Sequence, residues 1–357
     1  MVEQRRYTRR SVITGAIVGG AVAVGGKVLV DQLRAPSSTG CVWAVQVNDN
    51  LPIGGDRSSY WPYVSELEQK LGRPFAGWRR NGITGSDDLA VYRRAYDRGW
   101  HWSYANGKIQ PSDSSGNPVA AQFWHDTAAG KYDSFYHTFF QSIKADPRWT
   151  EANPFHFSFH HEQYVKSEGG GTGAGSASEY IAAFRRVAGI MDAEAAHASK
   201  GGNMLRAWVP HWRQYWGDPI YGSGNASSAV APLVVSKVYP GSDVVDKIGS
   251  DIALEPAQTY SASSQWKPVH DFALAKGKSF FTGETGIDGS DEKVVTYLQE
   301  LDTLLKGWGA GTGPGQVEAI CWTTRVAAEG DYRIDKTRAR LAQYNLMALD
   351  AFYAATT

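Results

Sequence analysis

The chain has 357 residues, of which 42% are hydrophobic and 20% charged, an ordinary balance for a globular protein. Its 36 basic side chains equal its 36 acidic ones, so no net charge directs it toward nucleic acid or an anionic membrane. The 13 tryptophans exceed what core packing usually needs, which hints at sugar rings stacking on aromatic faces.

Residues 1–37 are expected to form an export signal or a membrane anchor, followed by a linker. Four arginines precede an uncharged run from Val12 to Val24, and the pair Arg9-Arg10 is typical of the twin-arginine route. Ala21-Val22-Ala23 offers a cleavage site, and an uncleaved segment that tethers the protein to a membrane is the alternative. Both interpretations place the body of the protein outside the cytoplasm.

From residue 38 onward, short apolar or aromatic runs alternate with amphipathic stretches that have helical spacing. Strands that alternate with helices predict a parallel sheet, because parallel neighbours need a crossover between them. Eight such repeats predict a closed (β/α)8 TIM barrel, with residues 38–357 as a single catalytic domain. The predicted strands are residues 42–47, 75–79, 100–104, 155–161, 204–209, 245–252, 279–283 and 318–323.

The stretch FHFSFHHEQ, residues 155–163, divides between two faces because side chains alternate along a strand. Its three phenylalanines are predicted to pack against the helices. Its polar residues are predicted to point into the barrel: His156, Ser158, His160 and Glu162. Glu162 comes last, at the carboxyl end of the strand, where barrel enzymes carry their chemistry.

Glu284 ends the seventh predicted strand in the same way, within TGETG. Strand ends four and seven lie across the mouth of a barrel from each other. Two carboxylates that face each other there are the machinery of retaining glycoside hydrolysis, in which one attacks and the other, with a raised pKa, donates a proton. This chemistry needs no cofactor.

A metal site is the competing interpretation of the three histidines and the glutamate in this stretch. His156 and His160 would lie ~13 Å apart on an extended strand, too far to share one ion. His160 and His161 would point to opposite faces. We therefore expect no metal.

Aromatic and polar residues near the other predicted strand ends are candidates for binding a sugar. Trp102, Trp208 and Trp322 are the expected stacking platforms, and Asp251 either binds the sugar or hydrogen-bonds within the barrel. Cys41 and Cys321 fall on the first and eighth strands, which are neighbours in a closed barrel. A disulfide between them is a hypothesis that suits an exported protein.

Several motifs resemble glycoside hydrolase family 26, a family of barrel enzymes that includes β-mannanases. They are His161-Glu162, the segment NMLRAWVP at residues 203–210, VYPGSDVVDKIGSD at residues 238–251, and Glu284 in TGETG. The resemblance implies Glu162 as acid/base, Glu284 as nucleophile, and a place for His161 near the acid/base or the sugar. It also implies a β-linked polysaccharide substrate, with β-mannan first and β-glucan, xylan or an envelope polysaccharide next.

The chain departs from the family pattern at four positions. Ser158 stands where the family has arginine, Tyr164 and His211 where it has asparagine, and Ala253 where it has tyrosine. His211 remains a candidate for substrate binding. We predict a monomeric, endo-acting, retaining hydrolase with no nucleic-acid partner. The alternative is a barrel that binds carbohydrate without cleaving it.

Overall fold

A computed structural model describes residues 40–46, 60–80, 86–107, 122–164, 173–324, 326–327 and 330–353. The predicted export signal and its linker lie outside these residues. Among the helices in the described ranges, none has the length and apolar character needed to cross a membrane.

Eight parallel strands follow one another in chain order and close into a barrel, which confirms the predicted (β/α)8 TIM barrel. Pairing of the first strand with the eighth completes the ring. The observed strands begin or end within a few residues of the predicted ones. They are β1 Val42–Gln46, β2 Gly77–Arg80, β3 Trp102–Asn106, β4 Phe155–Ser158, β5 Met204–Trp208, β6 Lys247–Leu254, β7 Phe280–Ile287 and β8 Val317–Thr323. A short antiparallel pair follows, β9 Val326–Ala327 with β10 Gly330–Asp331.

Helices pack around the outside of the barrel. They are α1 Tyr60–Leu71, α2 Ser86–Asp97, α3 Phe123–Ala128, α4 Asp133–Lys144, α5 Ala177–Ala193, α6 Trp212–Trp216, α7 Val235–Val238, α8 Ala262–Ala275, α9 Asp291–Trp308 and α10 Arg338–Ala348. The side chains of Ser176, Ser261 and Ser290 accept hydrogen bonds from the first turns of α5, α8 and α9. These caps satisfy backbone donors that would otherwise lack partners and so help to set where each helix begins.

Strand alternation divides the buried residues into two layers. The side chains of Phe155, Phe157 and Phe159 belong to the large cluster between the barrel and its helices, as predicted. A smaller cluster fills the barrel interior and includes Trp102 and Phe281. The interior is therefore packed, and only its carboxyl-terminal end is left for chemistry.

Buried charges occupy the opposite, amino-terminal end of the barrel. Glu318 forms ion pairs with Lys247 and with His156 Nε2, the latter at 2.9 Å, and accepts a hydrogen bond from Ser279 at 3.2 Å. All four residues are buried. His156 points into the barrel as predicted, but it belongs to this structural network, far from the strand ends that carry the candidate site.

The predicted disulfide between Cys41 and Cys321 is wrong, because both cysteines are free and buried. Cys321 pairs in register with Ala44, three residues beyond Cys41 on β1. Cys321 also faces the barrel interior, whereas Cys41 faces the helix layer. Neighbouring strands therefore bring the two backbones close but point the two thiols to opposite sides of the sheet.

Candidate active site

Glu284 lies on β7 at the mouth of the barrel, where the sequence predicts it. Its carboxylate forms an ion pair with Arg79 at the end of β2, and its Oε1 accepts a hydrogen bond of 3.0 Å from the amide of Gln46 on β1. The side chain is 14% exposed. Two donors from other strands thus fix the carboxylate while one side of it stays open to the mouth.

Arg79 is completely buried beneath this mouth and serves more than one carboxylate. Besides Glu284 it reaches Asp251 Oδ2 at 3.1 Å and Gln46 Oε1 at 2.8 Å. Burial alone would lower the pKa of Arg79, but Asp251, Glu162 and the other electrostatic neighbours together outweigh it, and the pKa is raised. The guanidinium is therefore a permanent positive charge at the floor of the site.

Asp251 comes to the mouth through an irregularity in β6. The register between β6 and β7 shifts between Ser250 and Asp251, which sets Asp251 directly opposite Glu284. A Cβ on Gly283 would overlap Asp251 Oδ1, so only glycine leaves room for that carboxylate. The sequence left open whether Asp251 binds sugar or hydrogen-bonds internally. Its contact with Arg79 supports the internal role.

Glu162 follows the end of β4 and has an unusual backbone. Its φ angle is +49°, in the left-handed region that non-glycine residues seldom adopt, and its N–H donates to the carbonyl of Val209 at 2.9 Å. Its side chain is 15% exposed. The left-handed turn lies where the chain leaves β4, and the Glu162 carboxylate reaches the mouth beside His161 and His211.

This turn also changes which histidine accompanies Glu162. The sequence predicts that His160 shares the inward face, but His160 packs in the helix layer, where its Nδ1 accepts a hydrogen bond of 2.7 Å from Trp124. His161 points to the mouth instead, with Nε2 3.7 Å from Glu162 Oε2 and 3.5 Å from Asp251 Oδ2. The prediction for His160 is wrong because β4 ends at Ser158.

His211 flanks Glu162 from the end of β5. Its Nε2 lies 3.8 Å from Glu162 Oε1, and its Nδ1 lies 3.2 Å from the hydroxyl of Tyr164. Burial lowers the pKa of His211 well below 6.5, and the nearby charge of Arg213 lowers it further. The site therefore runs from His211 and Glu162 through His161, Asp251 and Arg79 to Glu284.

None of the three tryptophans predicted to stack a sugar lies at the barrel mouth. Trp208 is fully buried against Tyr239 and Phe272, and Trp322 is fully buried against Trp43 and Tyr344. Both point outward to the helix layer, because their neighbours Val209 and Cys321 take the interior face.

Trp102 does point into the barrel, but it is the first residue of β3 and not one of its last. It packs against His156 at a tilt of 34°, with ring centroids 5.2 Å apart, and is 3% exposed. A residue at the amino-terminal end of a strand lies at the wrong end of the barrel for binding substrate. The predictions for Trp102, Trp208 and Trp322 are therefore wrong.

One group of residues in the described ranges has the spacing of metal ligands. His161, Glu162 and Asp251 each offer an atom within 4.8 Å of the others. Arg79 already brings a positive charge to within 3.1 Å of Asp251 Oδ2, and this repels a cation from the same oxygen. The group therefore fits an ion-paired carboxylate cluster better than a metal centre.

The sequence-based prediction missed Arg79 and Gln46, which both contact the Glu284 carboxylate. Both lie at the carboxyl ends of predicted strands, where a polar side chain is a usable signal. They also fill the gap left by Ala253, which replaces the tyrosine of the family pattern. The resemblance placed the orienting residue on β6, whereas the structure supplies it from β1 and β2.

The architecture is shared with known polysaccharide-degrading enzymes, although no protein-family model and no curated protein sequence matches the chain. The catalytic domain of a family 26 endo-β-1,4-mannanase from Bacillus sp. JAMB-750 superposes with a TM-score of 0.59 at 15% identity, covering 93% of this chain and 91% of that one.

Two further structures give similar values. An endo-β-1,4-mannanase from Cellulomonas fimi has a TM-score of 0.60 at 16% identity and covers 93% of this chain and 76% of that one. A family 26 β-mannanase from Bacteroides ovatus has a TM-score of 0.56 at 13% identity, with 92% and 96% covered. At these identities the likeness establishes the fold.

Proposed function

We propose that this protein is a retaining glycoside hydrolase that cleaves a β-linked polysaccharide, with Glu284 as nucleophile and Glu162 as acid/base. The observation that carries the proposal is that both glutamates reach the same barrel mouth, joined through His161, Asp251 and Arg79. Both are among the partly exposed groups of an otherwise buried polar cluster.

The surroundings of each carboxylate support these separate roles. Glu284 faces the fixed positive charge of Arg79 and the amide of Gln46, which favour the ionised form that a nucleophile needs. Glu162 faces two imidazoles, one of which, His211, is held neutral. The neutral His211 adds no positive charge beside Glu162, which suits a group that must donate a proton.

The reaction takes place in two displacements. In the first, a Glu284 oxygen bonds to the anomeric carbon, the glycosidic C–O bond breaks, and Glu162 gives its proton to the departing oxygen. In the second, water attacks the anomeric carbon, Glu162 accepts a proton from that water, and the ester bond to Glu284 breaks. Both glutamates return to their starting protonation states.

The substrate we propose is β-mannan, because the neighbouring structures are endo-β-1,4-mannanases. β-Glucan, xylan and a bacterial envelope polysaccharide are the other members of a test panel. Reducing ends released from each polymer should appear with wild type and fall at least about 10³-fold in Glu162→Gln and in Glu284→Gln. Full activity in either variant on the cleaved polymer would contradict the assignment.

Trapping the intermediate separates hydrolysis from binding alone. A 2-deoxy-2-fluoro glycoside of the cleaved sugar should label Glu284 covalently, as peptide mass mapping would show, and should not label Glu284→Gln. Retention of a polymer in affinity electrophoresis, with no reducing ends and no label, would instead favour the carbohydrate-binding barrel.

We also propose that the protein acts outside the cytoplasm, on the evidence of its amino-terminal residues. Replacing Arg9 and Arg10 by lysine should leave the protein in the cytoplasm, as cell fractionation would show. Amino-terminal sequencing of the exported form would distinguish a cleaved signal from a retained anchor.

A further inference from the structure

Two of the departures from the family pattern contact each other. Tyr164 follows Glu162 by two residues, and His211 lies in the loop after β5, directly before α6. The Tyr164 hydroxyl nevertheless lies 3.2 Å from His211 Nδ1. Their rings meet edge to face with centroids 5.2 Å apart. The other ring nitrogen of His211 faces Glu162 at 3.8 Å. The two changed residues thus form one unit beside the candidate acid/base.

The backbone of α6 determines the tautomer of His211. His211 is the N-cap of this helix, and its Nδ1 accepts a hydrogen bond of 3.1 Å from the N–H of Arg213. A nitrogen that accepts from a backbone N–H carries no proton itself, so the neutral ring carries its proton on Nε2. That N–H is the one that faces Glu162.

Tyr164 supports the same arrangement. Burial raises the pKa of Tyr164 to about 12, so its hydroxyl keeps its proton and donates to His211 Nδ1. The Arg213 N–H and the Tyr164 hydroxyl thus share the lone pair of Nδ1 and together hold the ring at that nitrogen. Rotation of the ring would cost both hydrogen bonds.

Charged groups of both signs surround His211: the positive charge of Arg213 opposes protonation of the imidazole, and the nearby carboxylates favour it. Arg213 lies on its own helix and is paired with Glu255 at 3.5 Å, while Asp251 forms a backbone bridge with His211 from β6. Glu162 is the carboxylate closest to its Nε2. Burial together with Arg213 outweighs these carboxylates, since the pKa of His211 is lowered.

We propose that Tyr164 and His211 form a positioning pair that orients Glu162 and presents it with an uncharged N–H donor. This inference rests on the proposed function, in which Glu162 must be protonated in the first step and ionised in the second. A cationic imidazole would favour the ionised carboxylate and deplete the acid. A neutral donor supports both states, and His211 keeps its own proton throughout.

Two substitutions at position 211 separate this electrostatic role from a structural one. Asparagine and aspartate cap a helix about equally well, so His211→Asn and His211→Asp should unfold at similar temperatures. Only aspartate adds a negative charge beside Glu162. The titration midpoint of Glu162, followed by NMR with ¹³C-labelled glutamate and assigned with Glu162→Gln, should rise by about 1 unit in His211→Asp and stay near wild type in His211→Asn.

This titration requires no substrate, so it gives a result even if the protein hydrolyses no polysaccharide. Equal midpoints in His211→Asp and His211→Asn would overturn the proposal. On an active substrate, the alkaline limb of the kcat/KM profile should move in the same direction as the midpoint. Activity absent from wild type, with the midpoint still shifted, would contradict the proposed function and leave the pairing intact.

Tyr164→Phe tests the other half of the pair. Loss of the hydroxyl should lower kcat about tenfold through misplacement of His211 and Glu162, with little change in KM. Tyr260→Phe is the matched control, because Tyr260 packs on Trp212 and Trp216 beside the same helix. Equal kcat values in the two variants would show that Tyr164 does not position the acid/base.

Discussion

At the scale of single residues, Arg79 balances the carboxylates of the barrel mouth. It is fully buried and contacts both Asp251 and Glu284. Glu162 joins the same cluster through His161, which lies near both Glu162 and Asp251. Three carboxylates therefore surround one fixed cation. The stability of the folded protein and the charge state of the site both depend on this single guanidinium.

Replacing Arg79 with methionine should lower the free energy of unfolding by about 3–5 kcal/mol, because it leaves buried carboxylates without their cation. The double variant Arg79→Met/Asp251→Asn should lose less, since one of those carboxylates is then neutral. Urea denaturation of the single and double variants measures the difference. A double variant less stable than Arg79→Met would contradict the assigned charge balance.

The backbone of Glu162 adopts the left-handed region, which affects the stability of substitutions at this position. An L-residue in the left-handed region costs about 1–2 kcal/mol, and glycine avoids that cost. Glu162→Gly should therefore be more stable than Glu162→Ala by about 1 kcal/mol, as measured by urea denaturation. Both variants lack the carboxylate, so the change of charge cancels in the comparison.

Glu284 provides the control for this comparison because it lies within the extended strand β7. Glycine in a strand is less favourable than alanine by about 0.5–1 kcal/mol, so Glu284→Gly should be the less stable of its pair. The same order at both positions would show that the backbone of Glu162 is not strained.

Position at the carboxyl end of a predicted strand was enough to identify both glutamates of the site. It was not enough for the tryptophans, because it does not say which face of the strand a side chain occupies. Glu162 and Glu284 were predicted from their positions at the carboxyl ends of strands, and both lie at the mouth. Trp208 and Trp322 were selected for the same reason, but alternation turns them to the helix layer. Arg79 was missed because contacts between β2 and β7 arise only when the barrel is assembled.

At the scale of elements, the amino-terminal end of the barrel joins three strands through buried charges. Lys247 on β6, His156 on β4 and Glu318 on β8 form the network. Burial would raise the pKa of Glu318, but the charge of Lys247 and the bond to His156 lower it well below 4.5. A folded-state pKa below the unfolded one contributes stability above the unfolded pKa, and this stability is lost as pH falls.

Glu318→Gln should therefore be less stable than wild type at neutral pH by about 3–5 kcal/mol, since Lys247 loses its buried partner. The difference should shrink as the pH falls below 4.5, the ordinary pKa of glutamate, because the unfolded wild type then takes up a proton at this carboxyl while the folded protein, with its lower pKa, stays ionised. Urea denaturation at several pH values measures the gap between the two proteins. A gap that is constant from neutral to acid pH would contradict the role of Glu318.

The elements themselves were largely predictable, and the exceptions have physical causes. Eight strands and their helices follow from apolar runs and helical periodicity, which are local signals. The early end of β4 was not predicted, because the left-handed turn at Glu162 leaves no mark in the hydrophobic pattern. The shift between Ser250 and Asp251 was likewise invisible, since register depends on how β6 pairs with β7.

At the scale of the whole molecule, the two ends of the described barrel meet on the side away from the site. The N–H of Cys41 donates to the carbonyl of Phe352 at 2.7 Å, just before β1 begins. A strand enters the barrel at its amino-terminal end, whereas Glu162 and Glu284 lie at the carboxyl ends. Gly40, the first residue that the structure describes, therefore lies at the face opposite the mouth.

Removal of residues 1–38 should thus leave both the melting temperature and kcat/KM of the barrel unchanged, because the described part of the fold begins at Gly40 and is held there by the bond from Cys41 to Phe352. The comparison is between the full chain and the shortened one, by thermal unfolding and by hydrolysis of the polymer that the panel identifies.

A shortened protein that also lacks residue 41 provides the control, and it should melt lower because that bond and a buried side chain are lost. Loss of activity with an unchanged melting temperature on removing residues 1–38 would mean that the amino-terminal segment reaches the mouth, contrary to the attachment of the chain at the other face.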